Sequence, residues 1–220
     1  MLVNNAAVLF GPELELDSRG RELALATSHL CHLQLIRALI PALRAARGAR
    51  VVTVTSGAPR IGEIRWNDLA FATGYHPVAA YAQSKHANVP FTVEFDRRFA
   101  GGGHTSRGTP RGRYRTKSAR PGRIHSFREA GPRRRARGHD RRSRDWEEDH
   151  RTGAATTVFG AASPLLDGIG GVYLKDNDVA MLDDEERTMT ADNIPADANS
   201  AMLDRTDARR LWDLSEPLLA

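Results

Sequence analysis

The spacing of apolar residues changes several times along this chain, and each change predicts an element. Leu2-Val3, two asparagines and Ala6-Ala7-Val8 open it as a short, strand-like apolar run. Arg21 to Ala46 reads as a helix containing Ala26-Thr27-Ser28-His29-Leu30-Cys31-His32. Val51-Val52-Thr53-Val54-Thr55 is the continuous β-branched run of a buried strand, and it delivers Ser56 at its end. A second helix carries Tyr81 through Asn88 and continues over Phe91 to Ala100. Gly153 to Ala162 is a helix-grade run of small and apolar residues, stopped by Ser163-Pro164-Leu165-Leu166-Asp167-Gly168. Val172-Tyr173-Leu174 then reads as a short inner strand, with Lys175-Asp176-Asn177-Asp178 turning out of it. Finally, Leu211, Trp212, Leu214, Leu218 and Leu219 form the stripe of a terminal packing helix.

The chemistry concentrates on Tyr81, Lys85 and Ser56. Four residues apart on a helix, Tyr81 and Lys85 project from one face, so an ammonium beside the phenol is expected to lower its pKa from roughly 10 toward working pH. A phenol tuned in that way donates or accepts a proton. A hydroxyl arriving from a strand end, such as Ser56, could hold a substrate carbonyl or alcohol meanwhile. Alone, Tyr-x-x-x-Lys better fits a half-buried tyrosine with a solvated lysine; the neighbouring motifs reverse that preference.

In order, spacing and residue type, Asn4-Asn5-Ala6-Ala7, the Ser28 helix, the Ser56 strand and Tyr81-x-x-x-Lys85 together resemble the short-chain dehydrogenase/reductase family, in its retinol-dehydrogenase-like branch. The resemblance covers residues 1 to about 100 and resumes at about 153 with the Gly153–Val158 run and the Gly170-Gly171-Val172-Tyr173-Leu174 strand. It implies an α/β fold, a Rossmann-like doubly wound parallel sheet. It also implies hydride transfer between NAD or NADP and a small-molecule carbonyl or alcohol. Position by position, Tyr81 would be the acid/base, Lys85 its activator and a ligand to the nicotinamide ribose, and Ser56 the substrate-orienting residue. Asn4, Asn5, Ala6 and Ala7 would line the cofactor, with Ala7 in place of the family's glycine. Ser28 stands where the family usually has an asparagine in a proton relay through water; it lacks the amide's reach and its carbonyl acceptor.

A dinucleotide-binding sheet begins with a strand, a Gly-rich turn and a helix whose amides receive the pyrophosphate. That turn and the first strands are expected to lie before Met1, leaving the fold incomplete and the strand from Leu2 to Val8 with an exposed edge. Gly101-Gly102-Gly103 follows a helix and reads as its C-cap, and Gly168-Ile169-Gly170-Gly171 precedes a strand, the wrong context for a phosphate loop. The expected organisation is therefore the later part of a catalytic domain over 1–100, an Arg-rich disordered segment over 101–152, and the domain's last helix, strand and terminal helix over 153–220. As a free-standing polypeptide such a chain is expected to be inactive or nearly so.

Charge is segregated. Residues 101–152 hold 15 Arg and one Lys against six acidic residues, a net of +10, whereas the whole chain is +5. Three readings compete for the segment. It could be a basic tail that neutralises phosphates, although Tyr114, Phe127 and Trp146 offer little base stacking. It could be a solvated linker. The favoured reading is an out-of-frame translation, because dropping one base from suitable codons for Gly108 to Tyr114 restores the Val-His-Pro-Gly turn that the family places there. The rival to an enzyme is thus a non-enzymatic relic or binding protein whose basic segment contacts nucleic acid or an acidic partner.

Other signals are weaker. His29 and His32 lie one turn apart but have no Cys or carboxylate partner at useful spacing, so they read as packing and surface residues, and no metal is expected. Asp183-Asp184-Glu185-Glu186 lacks the spacing and glycine of a calcium loop. Cys31 is the only cysteine, which suggests a reducing, cytoplasmic setting. No stretch approaches twenty apolar residues, and no charged-then-apolar leader opens the chain, so neither a membrane span nor secretion is expected. Self-association is left open.

Overall fold

The computed structural model describes residues 1–9, 11–46, 48–99, 111–117, 150–185 and 197–219. Five strands form one sheet in sequence order: β1 (Leu2–Asn4), β2 (Arg50–Ser56), β3 (Arg111–Lys117), β4 (Val172–Lys175) and β5 (Asp178–Val179). β1 to β4 are parallel, and β5 returns antiparallel. The parallel, helix-connected sheet is that of an incomplete Rossmann-like fold.

β2 is the apolar spine. Val51, Val52 and Val54 are buried, as its continuous β-branched pattern requires. A strand covered on both faces needs backbone partners along both edges. β1 supplies one, from Leu2 against Val51 to Asn4 against Thr53, and β3 supplies the other over all seven residues, from Arg50 against Arg111 to Ser56 against Lys117. Inside the segment read from composition as solvated, Arg111–Lys117 is therefore a central strand; local charge did not reveal it because its place follows from the edges of β2 and β4. The rest of 101–149, including the glycine cluster and most of the basic run, lies outside the described residues. Among the described residues β1 pairs only with β2.

The first helix is one continuous rod, α1 (Leu23–Leu25), a wider π-helical turn (Ala26–Leu30) and α2 (Cys31–Ala45). By length and composition Leu23–Ala45 could cross a membrane, contrary to the reading of the sequence, because its polar residues are too few and too scattered to offset the apolar ones. Half of its apolar window is buried inside the molecule. Leu25, Leu30, Leu33, Ile36 and Leu43 pack there with Phe91 and Phe95 of α3 (Pro77–Phe99). α4 (His150–Ala162) starts slightly before the predicted run. α5 (Arg205–Ser215) is capped by the Asp204 carboxylate, which accepts from the Thr206 and Asp207 amides. Its Trp212 stacks on Phe91 at 5.6 Å with an interplanar angle of 10°, and the Arg98 guanidinium covers the indole.

Two turns show why particular residues stand where they do. The β4–β5 hairpin turns through Asp176 (φ 50°) and Asn177 (φ 65°), a left-handed pair that Asp and Asn tolerate and a two-residue hairpin needs. At Gly62 a Cβ would overlap that of Ala82, so the loop after β2 can touch α3 only because the residue is glycine.

Candidate active site

In a parallel sheet the strand ends gather on one side, so Asn4 and Ser56 finish β1 and β2 at the same rim. Beyond Ser56 the chain turns immediately, and the Ser56 Oγ accepts the Ala58 amide at 3.0 Å. α3 then runs back along β2. Thr55 Oγ1 donates to the Lys85 carbonyl at 2.6 Å, which locks helix to strand. This lock brings Ser56, Tyr81 and Lys85 together. The Ser56 hydroxyl lies close enough to the Tyr81 phenol to favour its ionised form, and the Lys85 Nζ sits 5.9 Å from the centre of the Tyr81 ring.

The electrostatics differ from the sequence expectation. Burial pushes the Tyr81 phenol above its ordinary value, and the Ser56 hydroxyl opposes that only in part. No lowering by the ammonium emerges, because Lys85 is turned toward the sheet, where its Nζ donates to the Val54 carbonyl at 3.3 Å. Lys85 itself is 2% exposed, and burial brings its pKa down to about 8. Tyr81 is thus a protonated phenol at neutral pH, beside a lysine whose charge is costly to hold.

The remaining predicted residues are placed as follows. Asn4 is buried and its Nδ2 donates to Thr53 Oγ1 at 3.4 Å. Asn5, Ala6 and Ala7 are exposed just after β1. Ser28 is fully buried in the π-helical turn, with its Oγ lacking a partner. Its carbonyl, rather than its hydroxyl, is engaged: Asn88 Nδ2 donates to it at 3.0 Å and to the Val54 carbonyl at 3.5 Å. Asn88 escaped the sequence reading, although its position three residues after Lys85 puts both on one face of α3. A cavity of about 400 Å³ lined by Arg60, Glu63, Trp66 and His86 contains none of Tyr81, Lys85 or Ser56.

A nicotinamide dinucleotide can be tested against these groups. An ammonium carries three donors, and Lys85 uses one on Val54 among the described residues, so two remain for the hydroxyls of a ribose. These donors on Lys85, beside the Tyr81 phenol, are the groups that would meet the nicotinamide-ribose end. For the pyrophosphate no counterpart exists among the described residues, where no strand leads through a Gly-rich turn into a helix N-terminus.

Known proteins resemble the chain along its length. The chain is 35% identical over 225 residues to a Streptomyces lividans protein named "Probable oxidoreductase", matching all of itself and 72% of that protein. The chain belongs to the short-chain dehydrogenase/reductase family. It is also 38% identical over 184 residues to mouse polyprenol dehydrogenase, covering 80% of itself and 51% of that enzyme. With mouse retinol dehydrogenase 14 it shares 30% identity over 219 residues, all of itself and 58% of that enzyme. A crystal structure of an uncharacterized Mycobacterium paratuberculosis protein superposes with a TM-score of 0.67 at 28% identity, over 99% of this chain and 66% of that one. No family model matches the chain. As a member of the short-chain dehydrogenase/reductase family it is an enzyme of the oxidoreductase class by descent.

Proposed function

We propose that Tyr81, Lys85 and Ser56 are the proton-transfer centre of an NAD- or NADP-linked oxidoreductase acting on a carbonyl or alcohol. The observation that carries this reading is the placement of a buried ammonium, a protonated phenol and a strand-end hydroxyl within one small site at the carboxyl rim of the sheet. The bound cofactor supplies or accepts the hydride. In reduction, Ser56 holds the substrate oxygen and Tyr81 gives its phenolic proton to that oxygen as charge develops there. The phenolate left behind regains a proton from solvent, while the Lys85 ammonium is assigned to the nicotinamide ribose. In oxidation the same proton moves the other way.

Relatives named for polyprenol and retinol, both apolar alcohols, support an apolar substrate. Asn4 to Ala7 lie along the same rim and are assigned to the cofactor's flank. Because the described residues hold only the nicotinamide end, we propose that the 220-residue chain turns over poorly. A cytoplasmic location accords with its single, exposed, unbridged Cys31. The basic-segment alternative rests on residues that, apart from Arg111–Lys117 and 150–152, lie outside those described.

The test is NADH or NADPH consumption with an apolar aldehyde. Slow turnover in the parent chain, abolished by Tyr81→Phe, is the expected result. Equal rates in the two proteins would refute the assignment.

A further inference from the structure

The cavity beside α3 takes no part in the proton-transfer centre. At about 400 Å³ it is large enough for a small organic molecule. The loop after β2 lines one part of it, α3 another through His86 and Pro90, and the approach to α5 the rest through Asn199, Met202 and Asp207. Gly62 sets the loop tight against α3, since a Cβ there would overlap that of Ala82. The lining is therefore held by packing rather than by a free loop.

Acceptors outnumber donors around this space. The Gly62 carbonyl lies 2.6 Å from His86 Nδ1 and can only accept, so Nδ1 carries the ring's proton. Burial holds the imidazole below its ordinary pKa, so at pH 7 the ring is neutral and its Nε2 is an acceptor. Pro90 lies inside α3 and has no N–H, which deprives the His86 carbonyl, four residues earlier on the same face, of its helical donor. The Glu63 and Asp207 carboxylates line the same cavity, and neither forms an ion pair among the described residues. The donors nearby are largely spent. Arg60 donates to the Asp183 and Glu185 carbonyls and faces the Asp183 carboxylate at 3.9 Å. Arg210 lies over the Trp66 ring at 4.5 Å. Asn199 Oδ1 accepts the Met202 amide at 2.9 Å, which leaves its NH2 as the one side-chain donor.

We propose that this cavity is a binding site for a small organic ammonium, a primary amine carried on an apolar body. An ammonium has three donors and no acceptor, which complements two unpaired carboxylates and the His86 Nε2. Ile64, Trp66, Pro90 and Met202 supply apolar surface for the body, and an indole also attracts a cation. A bare metal ion fits poorly, because no group of three metal-ligating side chains exists among the described residues and the apolar walls offer it nothing. An anion would meet the two carboxylates. The proposal goes beyond the oxidoreductase reading and does not depend on it.

The experiment is isothermal titration calorimetry at pH 7 on the full chain without cofactor, with three probes of one shape. They are n-hexylammonium, 1-hexanol, which lacks the charge, and hexanoate, which reverses it. Hexylammonium is expected to bind about tenfold or more tightly than 1-hexanol, and hexanoate to give no signal. Glu63→Gln combined with Asp207→Asn removes both charges at constant shape and is expected to weaken hexylammonium about tenfold. Ala201→Trp, at an exposed position of the lining, keeps every charge and fills the space, so it is expected to abolish binding. Three results would each overturn the proposal: no binding of hexylammonium by the parent at millimolar concentration, equal affinity for hexylammonium and 1-hexanol, or parent-like affinity in either folded variant. Either variant decides alone if the other fails to fold. None of these positions belongs to the proton-transfer centre, so the outcome is separate from the turnover test with Tyr81→Phe.

Discussion

At the scale of single residues, burial shifts three titratable groups in and behind the site, Lys85, His29 and His32. Lys85 has its pKa lowered from 10.5 to about 8 by desolvation. The unfolded chain therefore binds more protons than the folded one between those values, and stability rises with pH across that window. Below pH 8 the ammonium is charged in both states and its burial costs about 3 kcal/mol, against which the Val54 hydrogen bond returns about 1 kcal/mol. Lys85→Met is expected to raise stability at pH 7 by roughly 2 kcal/mol, to flatten its dependence between pH 8 and 10.5, and to abolish activity, all measurable by urea unfolding and assay. His29 and His32 are shifted from 6.5 to about 4, also by burial. Their neutral forms are favoured by the fold, so the stability is whole above pH 6.5 and is lost as pH falls toward 4. The loss should approach roughly 3 kcal/mol per histidine, seen as a falling Tm that His32→Leu halves. Spacing made Tyr81, Lys85 and Ser56 legible in the sequence. It could not show that Lys85 turns to Val54 instead of the phenol, nor that His29 meets a serine 186 residues away.

At the scale of elements, β2, α3 and α5 were readable because each carries its own periodic pattern and its own stop. β3 was not, since Arg-Gly-Arg-Tyr-Arg-Thr-Lys has no apolar signature and becomes a strand through the backbone of its neighbours. Where elements touch, the contacts are tight enough to test. Gly62→Ala would drive the loop after β2 off the backbone of Ala82, next to Tyr81. It is expected to cost about 1–3 kcal/mol and to lower kcat along with stability. Trp212→Ala removes the ring that joins α5 to Phe91 and Arg98 and is expected to cost about 3–5 kcal/mol in denaturant unfolding. A loss below 1 kcal/mol would mean that α5 is not docked as described.

At the scale of the whole molecule, the chain holds an incomplete Rossmann-like sheet and, at its carboxyl rim, the proton-transfer centre we propose. The out-of-frame reading of residues 101–152 remains our proposal for its abrupt change in charge, and the gene's nucleotides decide it: a shifted frame encoding a His-Pro-Gly turn supports it, and its absence ends it. The central claim is that Tyr81, Lys85 and Ser56 receive the nicotinamide end of a dinucleotide. Saturation-transfer NMR with NADH or NADPH reads this directly. The strongest saturation should fall on the nicotinamide and its ribose, the adenine should receive little, and Lys85→Met should erase the pattern. An epitope dominated by adenine, or one that Lys85→Met leaves intact, would contradict it.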